Sequence, residues 1–264
     1  GTLVDADVVK RRHASSYQLR LASSGEVAAV DLNSFNHCVQ RFSSAAAYEA
    51  ARVRYCEGQV EEHTMVEDAI TGNRLNLLKQ TIYITTDAGA NATGTGISGV
   101  QRPEYVECEQ MKDLVRLMLA PSPRRAEGIH QEQDVLIRAE PGTGKTWSIK
   151  QLTLQLAQKL KSTSTEHVPL VPLLIPVQRL AVLMRAATAT ELAGGDLIAF
   201  FIAKAFSGDE QKLLLQAYEL RALLPLIDGI DEGADLKERI EEFVVTKLAP
   251  AGLRVVLTSR PEGV

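Results

Sequence analysis

The stretch that most constrains how this chain can fold runs from Asp134 to Lys150. Three consecutive apolar residues, Val135–Ile137, predict a short buried strand. A glycine-containing turn follows at residues 140–144, and Lys145-Thr146 then opens a helical pattern that runs to about Lys161. A strand, a glycine turn, Gly-Lys-Thr and a helix, in that order, form the pattern of a phosphate-binding P-loop.

Phosphate binding requires these residue types for physical reasons. Gly142 and Gly144 allow backbone conformations that turn several N–H groups toward a phosphate. The N-terminus of the following helix adds a partial positive charge at the same point. We expect Lys145 to reach the β- and γ-phosphates of a nucleotide and the Thr146 hydroxyl to bind Mg²⁺. The nucleotide-binding residues expected on this basis are Ala139, Glu140, Pro141, Gly142, Thr143, Gly144, Lys145, Thr146 and Trp147.

The turn departs from the usual P-loop pattern at one position. That pattern opens with glycine, whereas this chain has Ala139 there. Alanine is the smallest replacement and stands at the end of a strand, so we interpret it as tolerated. The alternative is an ordinary glycine-rich turn followed by a chance lysine. The strand before the turn and the helix after it favour phosphate binding.

A second apolar run, at residues 222–227, leads directly into the acidic residues Asp228, Asp231 and Glu232. Ligands of open α/β sheets bind at the carboxyl ends of the strands, where a carboxylate beside a P-loop can hold Mg²⁺. We therefore predict that Asp228 binds a metal ion together with Thr146. The alternative is a strand that ends in a solvated acidic turn.

Composition narrows the function classes. The apolar fraction of 45% is that of an ordinary globular protein. The net charge of −4 gives no support to a nucleic-acid or membrane-surface partner. No apolar run reaches the roughly 18 residues of a membrane span. The three cysteines are unclustered and no signal peptide is visible, which predicts reduced thiols and a cytoplasmic location.

The chain divides into three predicted parts. We predict that residues 1–86 form a small α+β N-terminal module, and no set of catalytic residues is recognisable in them. Residues 87–104 are glycine-rich and predict a flexible linker. Residues 105–264 alternate strands and helices, which predicts an α/β domain with a parallel sheet and right-handed crossovers. In the module, we expect His37 and His63 to lie at the surface.

The element predictions follow from apolar periodicity and turn residues. The strands are expected at residues 17–21, 27–32, 75–85, 134–139, 168–177, 222–228 and 252–258. The helices are expected at residues 45–62, 104–119, 145–161, 178–187, 197–206, 211–220 and 236–248. The strand at 168–177 contains prolines. Because proline has no backbone N–H to donate to a neighbouring strand, we predict that this strand lies at the edge of the sheet.

Three motifs together resemble the NACHT family of signal-transduction NTPases, which belongs to the STAND class. They are Ala139–Thr146, Leu226–Glu232 and Leu257–Pro261. The most specific part of these motifs is Asp228–Glu232, in which a small residue, Gly229, is followed two positions later by a further acid, Asp231. Residues 168–176 are similar to the proline-containing second strand of that family. The resemblance covers about residues 105–264, and residues 1–103 carry none.

The resemblance implies a three-layer P-loop NTPase sandwich with parallel strand order 1-4-3-2, and a fifth strand and further domains beyond Val264. It implies Mg²⁺-dependent binding and slow hydrolysis of ATP, which is favoured over GTP, in a switch that signals through self-oligomers or protein partners. By this resemblance, Asp228 holds Mg²⁺, Asp231 or Glu232 polarises the attacking water, and Arg260 senses the γ-phosphate.

Two other function classes stay open. One is a nucleotide-binding scaffold or interaction protein with little or no turnover, which Ala139 and the incomplete sheet favour. The other is a different P-loop enzyme, such as a kinase or a helicase. A helicase needs a basic groove for nucleic acid, and the net charge of −4 argues against one. A kinase needs an acceptor site, and none is recognisable.

Overall fold

The structure is a computed structural model. The part of the chain that it describes comprises residues 6–11, 16–21, 24, 27–31, 41–67, 72–80, 82, 110–119, 134–138, 140–162, 170–248, 251 and 253–261. The predicted linker and both of its boundaries, at residues 86 and 104, lie outside the described residues. The division into module, linker and domain therefore stays a prediction.

The described strands form three sheets. An antiparallel sheet contains β1 (Ala6–Arg11), β2 (Ser16–Leu21) and β3 (Val27–Asp31). An antiparallel pair contains β4 (Met65–Glu67) and β5 (Arg74–Asn76). The main sheet contains β6 (Val135–Arg138), β7 (Val171–Pro176), β8 (Leu223–Asp228) and β9 (Val256–Ser259), all parallel.

The described helices surround the main sheet. They are α1 (Ala45–Thr64), α2 (Met111–Leu119), α3 (Lys145–Leu160), α4 (Val177–Ala186), α5 (Ala189–Leu192), α6 (Leu197–Ala205), α7 (Gly208–Glu219) and α8 (Lys237–Phe243). The helical segments of other types are the 3-10 segments Leu77–Lys79 and Ile230–Leu236 and the π-helical turn Val244–Leu248. The predicted α/β class with a parallel, helix-flanked sheet is confirmed, and the packing is compatible with three layers.

The main sheet has the order β6-β9-β8-β7. This order confirms the predicted 1-4-3-2 arrangement, in which the last strand lies between the strand before the glycine turn and the strand that ends at Asp228. The proline-containing strand β7 lies at the edge, as its prolines predict. Pro225 stands in the interior strand β8, and the register of β8 with β9 starts only at Leu226, which faces Val256.

Helix α1 joins the same core as the main sheet. Ser44 caps its N-terminus by accepting the N–H of Ala47 at 3.2 Å. Tyr55 is buried and its hydroxyl donates to the carbonyl of Pro172 at 2.9 Å. Arg52, also fully buried, bonds to the carbonyl of Leu160 at the end of α3 and pairs with Glu49. This packing was not foreseen from the sequence.

The region before residue 85 differs from its prediction. The alternating pattern predicted a strand or hairpin over residues 75–85, but β5 ends at Asn76 and a 3-10 turn follows. The Asn76 side chain accepts the N–H of Leu78 at 2.9 Å, and such a local bond competes with the sheet ladder. The Gln151 side chain then donates to the carbonyls of Leu77 and Gln80, at 2.8 and 2.7 Å. Residues 83–85 lie outside the described part.

Two further predictions need correction. His63 was expected at the surface, but it is buried in the last turn of α1, and this burial lowers its pKa. The predicted single helix at residues 236–248 is divided into a 3-10 segment, α8 and a π-helical turn. In that last turn the Thr246 hydroxyl donates to the carbonyl of Glu242 at 2.7 Å. His37 lies outside the described residues.

Cys56 is the cysteine that the described residues include, and the reduced state of the thiols stays a prediction. Cys56 is a free, buried cysteine, and burial raises its pKa to about 11, which suppresses the reactive thiolate. Cys38 and Cys108 lie outside the described residues. Among the helices that the structure does describe, none has the length and apolar character needed to span a bilayer.

Candidate functional site

The carboxyl ends of the parallel strands share one edge of the main sheet, and the glycine turn between β6 and α3 lies there. In this turn the N–H and the hydroxyl of Thr143 both donate to the carbonyl of Glu140, at 3.3 and 2.6 Å. Gly142 and Gly144 have φ of 78° and 89°, in the left-handed region that glycine tolerates. A Cβ at either glycine would meet nothing within 4 Å, so the turn faces open space. Ala139 lies outside the described residues.

Helix α3 begins directly at the end of this turn. Gly144 is its N-cap and supplies no side-chain acceptor, and no acidic residue stands in the first turn. The N–H groups of that turn therefore keep the partial positive charge of a helix N-terminus. A 16-residue helix of this kind favours an anion at its N-terminus.

Lys145, in the first turn of α3, contacts Asp231 across the edge of the sheet. Its Nζ lies 3.2 Å from Asp231 Oδ1 and 3.5 Å from Oδ2. Only 9% of each side chain is exposed. Asp231 stands in the 3-10 segment that follows β8, so the pair joins two segments that the sequence separates widely.

Arg260 holds the same carboxylate from a third segment. It follows β9, its Nε lies 2.9 Å from Asp231 Oδ2, and its backbone N–H donates to Oδ1 at 3.0 Å. Burial raises the pKa of Asp231, but the hydrogen bond and charge of Lys145, together with the N–H of Arg260, outweigh it. The pKa of Asp231 is therefore below its ordinary value, and the carboxylate stays ionised between two cations.

Asp228, at the end of β8, is oriented by a residue of the neighbouring strand. The Thr258 hydroxyl donates to Asp228 Oδ1 at 2.7 Å and accepts the N–H of Gly229 at 2.8 Å. Both side chains are buried. Thr258 was not predicted as a site residue. The signal that could have identified it is its place one residue before the end of β9, beside an acid-terminated strand.

Glu232 lies at the surface of this edge, and its position depends on Gly229. The φ of Gly229 is 80°, and its carbonyl accepts the N–H of Glu232 at 2.9 Å. A Cβ at residue 229 would come within 2.8 Å of Glu232 Oε2, so the glutamate side chain folds back over the glycine. Asp231 and Glu232 thus differ in environment, because the first is enclosed by two cations and the second is exposed.

The other predicted residues of the turn divide into two groups. Glu140, Pro141 and Thr146 are exposed. Trp147 is half-buried and packs against the small cluster of Val66, Leu77 and Leu154. A role of Trp147 in nucleotide binding stays a prediction. Its packing places the start of α3 against the β4–β5 region.

No three His, Cys, Asp or Glu side chains of the described residues converge in a way that could hold a metal ion. The chain offers instead an open glycine turn, a helix N-terminus and two cations that share one carboxylate. Such an arrangement can bind an anion that has several oxygens.

The chain matches no protein-family model, no curated protein and no solved structure. Its resemblance to the NACHT family therefore depends on the motifs alone.

Proposed function

We propose that this protein binds a Mg²⁺-bound nucleoside triphosphate at the glycine turn and hydrolyses it slowly, as a signal-transduction switch of the NACHT type. ATP is favoured over GTP. The observation that supports this most is the convergence of Lys145, Asp231 and Arg260, from three distant motifs, at the open turn before α3. Under this proposal the protein works in the cytoplasm and signals through protein partners or further copies of itself.

Each predicted residue has a role in this proposal. The N–H groups of residues 142–146 and the ammonium of Lys145 bind the phosphates. Mg²⁺, when bound, neutralises phosphate charge, and the Thr146 hydroxyl and Asp228 carboxylate are the groups that would hold it. The bond from Thr258 fixes the Asp228 carboxylate, which suits a metal ligand or a ligand of metal-bound water.

Glu232 is a better candidate than Asp231 for positioning the attacking water. Asp231 is held by Lys145 and Arg260, so its oxygens already accept charge-assisted bonds. Glu232 is exposed beside the same edge of the sheet. A base has to come within hydrogen-bond reach of its water, and an exposed carboxylate on a short 3-10 segment can do so.

A second candidate function is a nucleotide-binding scaffold with little turnover. The observation that favours it is the same ion pair, because Asp231 neutralises the two cations that hydrolysis would need. Arg260 is also 45% exposed, so solvent screens its charge and weakens its electrostatic contribution to catalysis. Single-turnover hydrolysis at saturating nucleotide distinguishes the two functions, since a scaffold binds without forming product.

The test of nucleotide binding is Lys145→Ala. Removing a charge-assisted contact to phosphate should weaken Mg²⁺-nucleotide binding by about 1.5–3 kcal/mol. Isothermal titration with a non-hydrolysable triphosphate analogue measures this. Lys161→Ala is the matched control, because Lys161 is exposed at the far end of the same helix. Equal affinities of the wild type and Lys145→Ala would refute the proposed site.

A further inference from the structure

We propose that Asp231 competes with the terminal phosphate of the nucleotide for Lys145 and Arg260, and so lowers the preference of the site for a triphosphate over a diphosphate. The inference rests on the proposed function, since it concerns the same site. It adds a role that differs from polarising the attacking water, which the resemblance implied for Asp231 or Glu232.

The geometry supplies the first step. One carboxylate faces two cations, with Oδ1 at 3.2 Å from Lys145 Nζ and Oδ2 at 2.9 Å from Arg260 Nε. The backbone N–H of Arg260 also donates to Oδ1, at 3.0 Å. Asp231 therefore presents two anionic oxygens to the two side chains that would bind the terminal phosphate.

Burial supplies the second step. Lys145 and Asp231 are each 9% exposed, so neither charge is well solvated on its own. A buried charge without a partner is costly, and Lys145 therefore needs one anion or another beside it. In the absence of nucleotide, Asp231 is the anion beside Lys145, and a phosphate has to displace it. The carboxylate holds both cations near one point, where they are ready for a larger anion.

The third step concerns the number of phosphates. A diphosphate needs Lys145 alone, and Asp231 can then keep its two bonds to Arg260. A triphosphate that engages both cations has to displace Asp231 from both. Competition by Asp231 therefore weakens triphosphate binding more than diphosphate binding. The wild-type protein is thereby biased toward its empty or diphosphate-bound form until the triphosphate concentration is high.

The experiment measures dissociation constants of the full chain for a non-hydrolysable triphosphate analogue and for the diphosphate, both with Mg²⁺. Asp231→Asn removes the competing charge and keeps the shape. It should tighten triphosphate binding about fivefold or more, as for a typical coupling between two ligands, and tighten diphosphate binding less. Asp231→Ser also removes the charge, with a shorter polar side chain, and should act in the same direction, in case the amide perturbs folding.

The control is Asp235→Asn. Asp235 stands in the same 3-10 segment, is exposed and pairs with Arg185, so the charge change is the same at a distance from the two cations. Its nucleotide affinities should match those of the wild type. Unchanged or weaker triphosphate binding by both Asp231 variants would overturn the competition, and so would equal tightening for the two nucleotides.

A second readout separates this inference from the proposed function. Thermal unfolding without nucleotide is compared for the wild type, Lys145→Ala, Asp231→Asn and the double variant. A coupling between the two substitutions supports the ion pair independently of any ligand, and its absence overturns the inference. If coupling is present but no variant binds nucleotide, the proposed function fails and the competition fails with it. If the wild type binds nucleotide and the Asp231 variants bind no tighter, the competition alone fails.

Discussion

Gly229 satisfies two requirements at once, one of backbone conformation and one of space. Its φ of 80° disfavours any residue with a Cβ, and the space above it is occupied by the Glu232 carboxylate at 2.8 Å from the Cβ position. Gly229, which follows the first of the three acids in this motif, is therefore needed to place the last one, Glu232.

We predict that Gly229→Ala lowers the free energy of unfolding by about 1–2 kcal/mol, the cost of a left-handed conformation for a residue with a Cβ. It should also displace Glu232 and slow single-turnover hydrolysis, while nucleotide affinity changes little. Urea unfolding and a quenched-flow assay measure the two effects. Gly194→Ala is the control, because a Cβ there meets nothing within 4 Å. Wild-type stability and turnover in Gly229→Ala would contradict this account.

Two polar side chains of α1 reach backbone carbonyls of α3 and β7, in addition to the apolar packing of the helix. Tyr55 reaches Pro172 in β7, and Arg52 reaches Leu160 at the end of α3. Arg52 is fully buried, so its bonds to Glu49 and to the Leu160 carbonyl have to offset the cost of removing its guanidinium from water. The carbonyls at the end of α3 carry a partial negative charge, which a cation stabilises.

Arg52→Met should therefore destabilise the chain by about 3 kcal/mol, because Glu49 and the Leu160 carbonyl lose their partner. The matched control is Arg54→Met on the same helix. Arg54 is 61% exposed and pairs with the equally exposed Asp209, so its loss should cost less than about 1 kcal/mol. Urea denaturation of both variants measures the difference, and similar costs would show that the buried guanidinium contributes nothing special.

The elements near the site could be predicted from the sequence, because strand and motif coincide there. Asp228 ends β8, Arg260 directly follows β9, and Lys145 follows the glycine turn after β6, and parallel strands bring those ends to one edge. The edge position of β7 followed in the same way from its prolines.

What could not be predicted depends on side-chain directions and on distant packing. The pairing of Asp231 with both cations, and the bond from Thr258 to Asp228, depend on rotamers that no sequence period encodes. The docking of α1 on α3 joins residues 108 positions apart, and the burial of His63 follows from tertiary packing. Local patterns carry no signal for such contacts.

At the scale of the whole molecule, the predicted N-terminal module contributes to the core of the predicted NTPase domain. Tyr48, Tyr55 and Cys56 of α1 belong to the same buried cluster as the strands of the main sheet. Arg41 extends this contact, because its side chain pairs with Glu219 at the end of α7. Helix α1 therefore behaves as part of that domain, whatever the role of the residues around it.

We predict that deletion of residues 1–104, the predicted module and linker, gives a fragment that is much less stable than the full chain or that aggregates. The deletion would expose the apolar surface of α3 and α7 that α1 packs against, together with the carbonyls that Arg52 and Tyr55 satisfy. Circular dichroism melting and size-exclusion chromatography measure this. A fragment 105–264 that is monomeric and melts at the same temperature as the full chain would support an independent domain instead.

The pairing of β6 has a consequence for how the chain is made. Among the described strands β6 bonds only to β9, and Val135 faces Val256 across that ladder. A ribosome releases the strand before the glycine turn long before it releases the strand that supports it. The turn therefore acquires its final support only when residues 256–259 have left the exit tunnel. Such long-range pairing slows folding and leaves an apolar strand unpaired during synthesis, which is the interval in which a chaperone can bind it.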